Sequence, residues 1–446
     1  MSKTILQIVH ENTSTLDTTI PFLLVYKKEH PADRVIILYT RLNKRQVTRD
    51  GSFYSDYLES KGIEQYDLGK YFRGIFFPLR RLLLGYLSNS IYDYLPIRSI
   101  LSSSLQDLVY VLPAIRIKAE WLIGRYAIRW KQILPDIRPD IVLWDLRGRL
   151  RFYGVNHFYS YFQAMKTDVI LIPHAPHNLS ATRDFFSHGE LIYKGLKDSI
   201  ILPNHYFWVA FKYASPEMEF PHSQKQFKKM GYPAFDPKWK KYLKKEMLHQ
   251  QKTGLRSKCV MIPLRFFSAR GQQKNIKLKF LYSYEETLMF LTKIGDVLYE
   301  KYGGVHIILK PHPKTNLLFI KELVSELRYH QWEISYNSFY ALLPKVDYFI
   351  SSFTTAVFLP IIYDTPIFLV ESDTQNHVEQ WDVLRTLYHE LRCTTSLGKL
   401  GDAITNYEHN KDRYSAENEA LLNAYWDTDS MDSCFKAFRE ISRNGD

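Results

Sequence analysis

Apolar residues in this chain recur in short unbroken runs separated by longer amphipathic stretches, the pattern of buried parallel strands alternating with helices. In the first half, Thr4 to Val9, Val35 to Tyr39, Ile141 to Trp144, Val169 to Ile172 and Phe207 to Phe211 read as strands. Between them, Leu105 to Ile133 places basic and apolar residues at helical spacing. After Gly231-Tyr232-Pro233-Ala234-Phe235-Asp236-Pro237 the pattern restarts with a charged helix, Lys238 to Lys252. Strands are then expected at Cys259 to Leu264, Val305 to Lys310, Tyr348 to Ile350 and Pro366 to Val370. Helices are expected between them at Tyr284 to Lys301, Phe319 to Arg328 and Thr354 to Tyr363. That order is one doubly wound α/β half. The expected organisation is an N-terminal domain over 1–232, a second over 233–415 and a terminal helix pair over 416–446, with the two domains facing a cleft. Ligands of such sheets bind at the carboxyl ends of strands, so chemistry is sought there.

Composition narrows the class. A chain of 446 residues suits two large domains, and 46% hydrophobic with 24% charged residues excludes a disordered protein. Aromatic content of 15% suits half-wet surfaces and clefts as well as cores. Cys259, Cys393 and Cys434 exclude a disulfide framework and a four-thiolate zinc site, and fit a reducing compartment. The start, Met1 to His10, reads as a buried strand rather than a signal peptide, and no apolar run reaches the ~18 residues that span a bilayer.

The net charge of +12 is unevenly placed: Lys70 to Arg151 holds fourteen basic residues against six acidic ones. They are interleaved with apolar side chains, as in Tyr71-Phe72-Arg73-Gly74-Ile75-Phe76-Phe77-Pro78-Leu79-Arg80-Arg81. Such a region suits an anionic membrane surface or an anionic, lipid-linked acceptor. The plainer alternative is that its apolar residues are core and its charges a solvated face. Nucleic acid is not expected, because no zinc-finger spacing, RNP-like aromatic string or basic heptad region is present.

Two polar clusters follow predicted strands of the second half. In Lys310-Pro311-His312-Pro313-Lys314-Thr315, prolines stiffen a loop whose His and Lys side chains present donors to an anion. In Ser351-Ser352-Phe353-Thr354-Thr355, hydroxyls join the unpaired N–H groups of a first helical turn, a ready phosphate site, although plain N-capping asks for the same residues.

With the Gly231-Tyr232-Pro233 turn, the stretch Asp364-Thr365-Pro366-Ile367, and Pro173-His174-Ala175 after a first-half strand, these clusters resemble the GT-B glycosyltransferases of bacterial surface polysaccharides that use cytidine-activated donors. Those are the Kdo- and sialyltransferases, related to the CDP-glycerol glycerophosphotransferases. The likeness covers most of 165–372 in order of elements, on motifs of about 25 residues. It implies two Rossmann-like domains, the N-terminal one for acceptor and the C-terminal one for donor nucleotide. It places the cytidine nucleotide and its phosphate on His312, Pro313, Ser351 and Ser352, with Lys310 and Thr354 beside them.

Other candidates come from the residues themselves. Arg265 follows a strand and either reaches the phosphate or base or caps the strand end at the surface. Glu371, with Asp373, either accepts from ribose hydroxyls or is a solvated loop acid. Asp145 ends a first-half strand and is the candidate catalytic carboxylate, a base for the acceptor hydroxyl or a nucleophile at the anomeric carbon. The family's acidic pair with glycine is replaced here by Asp145-Leu146-Arg147-Gly148. Arg147 and Arg149 suit the carboxylate of an ulosonic sugar, or Arg147 pairs with Asp145 internally. His174 and His177, in a proline-stiffened loop, are candidates for general base or substrate donor, and His10 and Glu11 follow the first strand.

The expected function is transfer of a sugar, Kdo or sialic-type, from a CMP-activated donor to a growing surface polysaccharide or lipid-linked glycan, at the inner face of the cytoplasmic membrane. Neither half carries an Asp-x-Asp pair or a dense His/Asp group, so no metal or other cofactor is expected. Alternatives are a CDP-glycerol or CDP-ribitol phosphotransferase, a nucleotide-sugar 2-epimerase, and a non-catalytic scaffold of the same fold.

Overall fold

The computed structural model describes residues 2–9, 14–40, 56–73, 126–145, 155–172, 204–209, 227–247, 257–264, 284–311, 317–335, 337–352, 358–371, 394–426 and 429–443. The chain forms two compact units, one holding Tyr54–Trp239 with Met1–Thr48 and Tyr425–Asp446, the other Lys240–Ala424.

The first unit is built on seven strands: β1 (Thr4–Val9), β2 (Arg34–Tyr39), β3 (Ile63–Asp67), β4 (Ile141–Asp145), β5 (Asp168–Ile172), β6 (His205–Val209) and β7 (Phe227–Lys229). They lie in the order β3-β2-β1-β4-β5-β6-β7, every neighbouring pair parallel. The five runs read as strands are all present; β3 and β7 were not legible, because half-buried Ile63–Asp67 (IEQYD) and Phe227–Lys229 (FKK) at the sheet's edges lack an apolar run. Helix α1 (Ser14–Glu29) follows β1, and α2 (Trp130–Ile137) and α3 (Val155–Met165) flank β4. On one sheet face Leu6, Ile8, Val142 and Trp144 pack with Ile133, Phe158 and Phe162, all within a few percent of complete burial. Trp144 meets Phe162 edge-on with ring centroids 5.6 Å apart. Within the basic region, Tyr71, Phe72, Ile128 and Trp130 belong to this core, so for them the plainer reading holds. Residues 74–125 lie outside the described residues.

The second unit carries β8 (Cys259–Pro263), β9 (His306–Lys310), β10 (Gln331–Ile334), β11 (Tyr348–Ser351), β12 (Ile367–Glu371) and β13 (Thr394–Ser396). Their order is β10-β9-β8-β11-β12-β13, again all parallel. The longer helices of the second half of the chain are α4 (Pro237–Met247), α5 (Tyr284–Tyr302), α6 (Leu317–Glu326), α7 (Leu400–His409) and α8 (Lys411–Tyr425), followed by the last helix, α9 (Ser430–Arg443); a short helix at Phe358–Ile362 falls within the expected Thr354 to Tyr363. Helix α5 buries Tyr284, Thr287, Phe290, Leu291, Ile294 and Leu298, an i, i+3, i+4, i+7 stripe that packs on Val260, Ile262, Ile307 and Leu309. The four strands read in this half are present; β10 and β13 are additional edge strands, polar for the same reason as β3 and β7.

Candidate functional site

In each sheet the strand order reverses once, and the reversal fixes where loops diverge and leave room for a ligand. In the second unit it falls between β8 and β11. Pro263, the last residue of β8, pairs with Lys310, the last of β9. Phe349 of β11 pairs with Met261 of β8, so Ser351 continues to the same level as Pro263. Across the other edge, Ser351 pairs with Leu369, two residues before Glu371 at the end of β12. Lys310, Ser351, Ser352 and Glu371 therefore stand at the carboxyl rim of one sheet, on β9, β11 and β12, as the sequence pattern anticipates.

The two serines differ. Both are buried, Ser351 fully and Ser352 at 1% exposure. Ser351 Oγ donates to the Ser352 carbonyl at 2.7 Å, tying down the turn at the strand end. Ser352 Oγ has no hydrogen-bond partner among the described residues. A hydroxyl shut away from water without a partner costs ~1–3 kcal/mol, and a ligand oxygen would relieve that cost.

Lys310 is held rather than free. Its Nζ donates to the Asn337 carbonyl at 2.6 Å and lies 4.9 Å from the centre of the Phe339 ring. The segment after β10 thus fixes the ammonium above the sheet rim; the Ser335 amide bonds Leu309 O at 2.9 Å, and Ser338 caps the turn Phe339–Leu342. Sequence reading missed Asn337 and Phe339, and only a weak signal existed: the anchoring group is a main-chain carbonyl, which no residue type announces.

In the first unit the reversal lies between β1 and β4. Asp145 is the last residue of β4, paired with Ile172 at the end of β5, so the candidate carboxylate occupies a switch-point strand end. His10, Glu11, Arg147, Arg149, His174, His177, Arg265, His312, Pro313, Thr354 and Asp373 lie outside the described residues, as do the Asp145 and Glu371 side chains. Among the described residues no group of three His, Cys, Asp or Glu side chains is placed to hold a metal ion, and no helix is long and apolar enough to cross a membrane.

The Gly231-Tyr232-Pro233 motif has a structural duty. Gly231 adopts φ +64°, a region glycine tolerates, and a Cβ there would stand 2.3 Å from Ser430 Oγ. The next amide, Tyr232 N–H, donates to that same hydroxyl at 3.1 Å.

No protein family matches the chain, and no curated protein is significantly similar to it in sequence. Solved structures do resemble it. A UDP-N-acetylglucosamine 2-epimerase described as putative, from Listeria monocytogenes, aligns with a TM-score of 0.52 at 11% identity, covering 99% of this chain and 98% of its own. A second UDP-N-acetylglucosamine 2-epimerase aligns at 0.51 with 11% identity, covering 97% of this chain and 94% of its own. The likeness runs through both units, each a parallel doubly wound sheet, and at this identity it speaks for architecture alone. The chain has the GT-B fold of two Rossmann-like α/β units.

Proposed function

We propose that this protein is a nucleotide-sugar-dependent glycosyltransferase whose second unit holds the donor nucleotide at the β8/β11 switch point. The observation that carries the reading is Ser352, a buried hydroxyl without a partner among the described residues at that strand end, on the same sheet rim as an anchored Lys310 one strand beyond β8. A departing nucleotide phosphate gains negative charge as the glycosidic bond breaks, and fixed donors at its position favour the transition state over the ground state. His312, Pro313, Thr354 and Arg265, adjoining these strand ends in the sequence, would complete the pocket, and Glu371 would take the ribose. In the first unit Asp145 would serve as base or nucleophile, with His174 and Arg147 next to the sugar.

The finer reading, supported by the resemblance of the Lys-Pro-His-Pro and paired-Ser motifs, is a CMP-activated ulosonic donor, with no metal or cofactor, and a surface glycan or lipid-linked acceptor. The basic stretch 70–151 would then face an anionic membrane. A second reading, a UDP-sugar 2-epimerase, draws on the names of the two similar solved structures. Titrating the protein with CMP, CDP and UDP, then assaying nucleotide release from CMP-Kdo, CMP-sialic acid, CDP-glycerol and CDP-ribitol, tests these readings. Binding of UDP without CMP or CDP favours the epimerase; absence of binding to all three nucleotides at millimolar concentration overturns the donor-site assignment. His312→Ala is expected to lose turnover with the fold intact, and Asp145→Asn to lose transfer with CMP binding kept.

A further inference from the structure

At the amino-terminal rim of the second sheet, opposite to the donor-site end, three chemistry-bearing side chains from three adjacent strands converge. Cys259 is the first residue of β8 and His306 the first of β9, and the two are register partners, so their side chains leave the same sheet face. Cys259 Sγ lies 3.8 Å from His306 Nδ1. On the other side of the ring, His306 Nε2 lies 3.0 Å from Oε2 of Glu333 on β10, an ion contact without hydrogen-bond alignment. The cysteine and histidine are buried, whereas the glutamate side chain is 47% exposed. Asp347 fixes the start of β8, its Oδ2 accepting the Cys259 amide at 2.8 Å, and Lys258 precedes the cysteine with its ammonium 5.3 Å from the centre of the Tyr348 ring.

We propose that Cys259 is a site of oxidation by hydrogen peroxide, with His306 as the base for its thiol and Glu333 as the positioning charge for the imidazole. The geometry supplies each part of the step. His306 Nδ1 takes the thiol proton, and the Glu333 carboxylate stabilises the imidazolium so formed. The sulfur attacks one peroxide oxygen, the O–O bond breaks, and the departing hydroxide takes the imidazolium proton to leave as water. Sulfur is oxidised by two electrons to a sulfenic acid, and the peroxide is reduced. Cys259 is 3% exposed, so the oxidant such a site suits is small and neutral, as hydrogen peroxide is. Cys434 is the built-in contrast: it is fully buried, its thiol donates to the Met230 carbonyl at 3.3 Å, and burial pushes that thiol's pKa well up.

The test treats the folded full-length protein with hydrogen peroxide, removes the peroxide, unfolds timed samples in dimedone and maps the adduct by peptide mass spectrometry at all three cysteines. The expected result is labelling of Cys259 about tenfold or more faster than Cys434, with that rate cut severalfold in His306→Asn and in Glu333→Gln. Glu333→Gln changes a half-exposed side chain and keeps the test valid if His306→Asn fails to fold. Labelling of Cys259 no faster than Cys434, or a rate indifferent to Glu333→Gln, overturns the proposal.

Discussion

The Asp236 carboxylate accepts the Met431 amide at 2.8 Å through Oδ2, joining positions 195 residues apart in the chain. Its other oxygen, Oδ1, accepts the Lys238 amide at 2.8 Å, so one side chain satisfies the first turns of α4 and α9 together. Phe235 packs on Trp426 beside it, ring centroids 5.0 Å apart, and both are buried. A motif that reads in sequence as a turn between domains is thus the socket that fixes the last helix to the first unit.

Replacing Asp236 separates the two caps. Asp236→Ala should lower stability by ~2 kcal/mol, and Asp236→Asn by ~1 kcal/mol, because an amide keeps only one accepting oxygen. Denaturant unfolding followed by tryptophan fluorescence reads both, and an Asn variant as unstable as the Ala variant would contradict the two-cap account.

Gly231→Ala meets two obstacles at once, a left-handed φ and a Cβ placed 2.3 Å from Ser430 Oγ and 2.9 Å from Ser430 Cβ. The expected loss is roughly 2–4 kcal/mol in the same unfolding assay. Adding Ser430→Gly should recover part of it by removing the contact, but not the backbone strain.

These contacts show which parts of the molecule were readable beforehand. The central strands were legible because β1, β2, β5, β6, β8 and β9 are buried on both faces and so spell continuous apolar runs, as in Val35–Tyr39. Edge strands such as β10, Gln331–Ile334, escape because exposed and half-buried residues mix along them. For the site, the strand-end positions of Lys310, Ser351 and Asp145 followed from periodicity alone. What periodicity does not carry is the difference between Ser351 and Ser352, which depends on one carbonyl within reach of one hydroxyl. Nor does it carry the Asn337 carbonyl that holds Lys310, since any residue supplies that group.

Glu408 predicts an acid-sensitive contribution in the second unit. Desolvation pushes its carboxyl up, but hydrogen bonds from Tyr348, Tyr302 and Lys301 outweigh this and hold it down at about 2. Tyr348 and Tyr302 donate to the same Oε1 at 2.6 and 2.9 Å. A depressed carboxylate contributes stability that is fully present above its unfolded value near 4.5 and is lost as pH falls towards 2. Glu408→Gln should therefore be less stable than the wild type at pH 6, with the gap closing across that window. A gap constant from pH 6 to pH 2 would rule out the ionic account.

Asp168, the first residue of β5, works in the opposite sense. Burial raises its pKa to about 6, with Lys3 only partly opposing, and its carboxyl group has no hydrogen bond among the described residues. The folded state then holds this proton more tightly than the unfolded chain, so stability falls as pH rises from about 4 to about 6. Asp168→Asn should match the wild type near pH 4 and exceed it in stability at pH 7, as read from thermal midpoints at the two pH values. A variant less stable at pH 7 would mean that the ionised carboxylate has a stabilising partner.

The serine pair at the end of β11 offers the sharpest test of the donor site, because structure and binding separate there. Ser351→Ala removes an internal hydrogen bond and should cost ~1 kcal/mol of stability with little direct effect on nucleotide affinity. Ser352→Ala removes a buried hydroxyl that has no partner among the described residues, so stability should hold or rise slightly. If that hydroxyl meets the donor phosphate, CMP affinity should fall about ten- to a hundredfold, the worth of one hydrogen bond to a charged group. Calorimetric titration of both variants against thermal melting gives the two axes. Wild-type CMP affinity in Ser352→Ala would remove this serine from the pocket, whereas equal loss of affinity in both variants would mean that the turn as a whole, rather than the Ser352 hydroxyl, sets the binding.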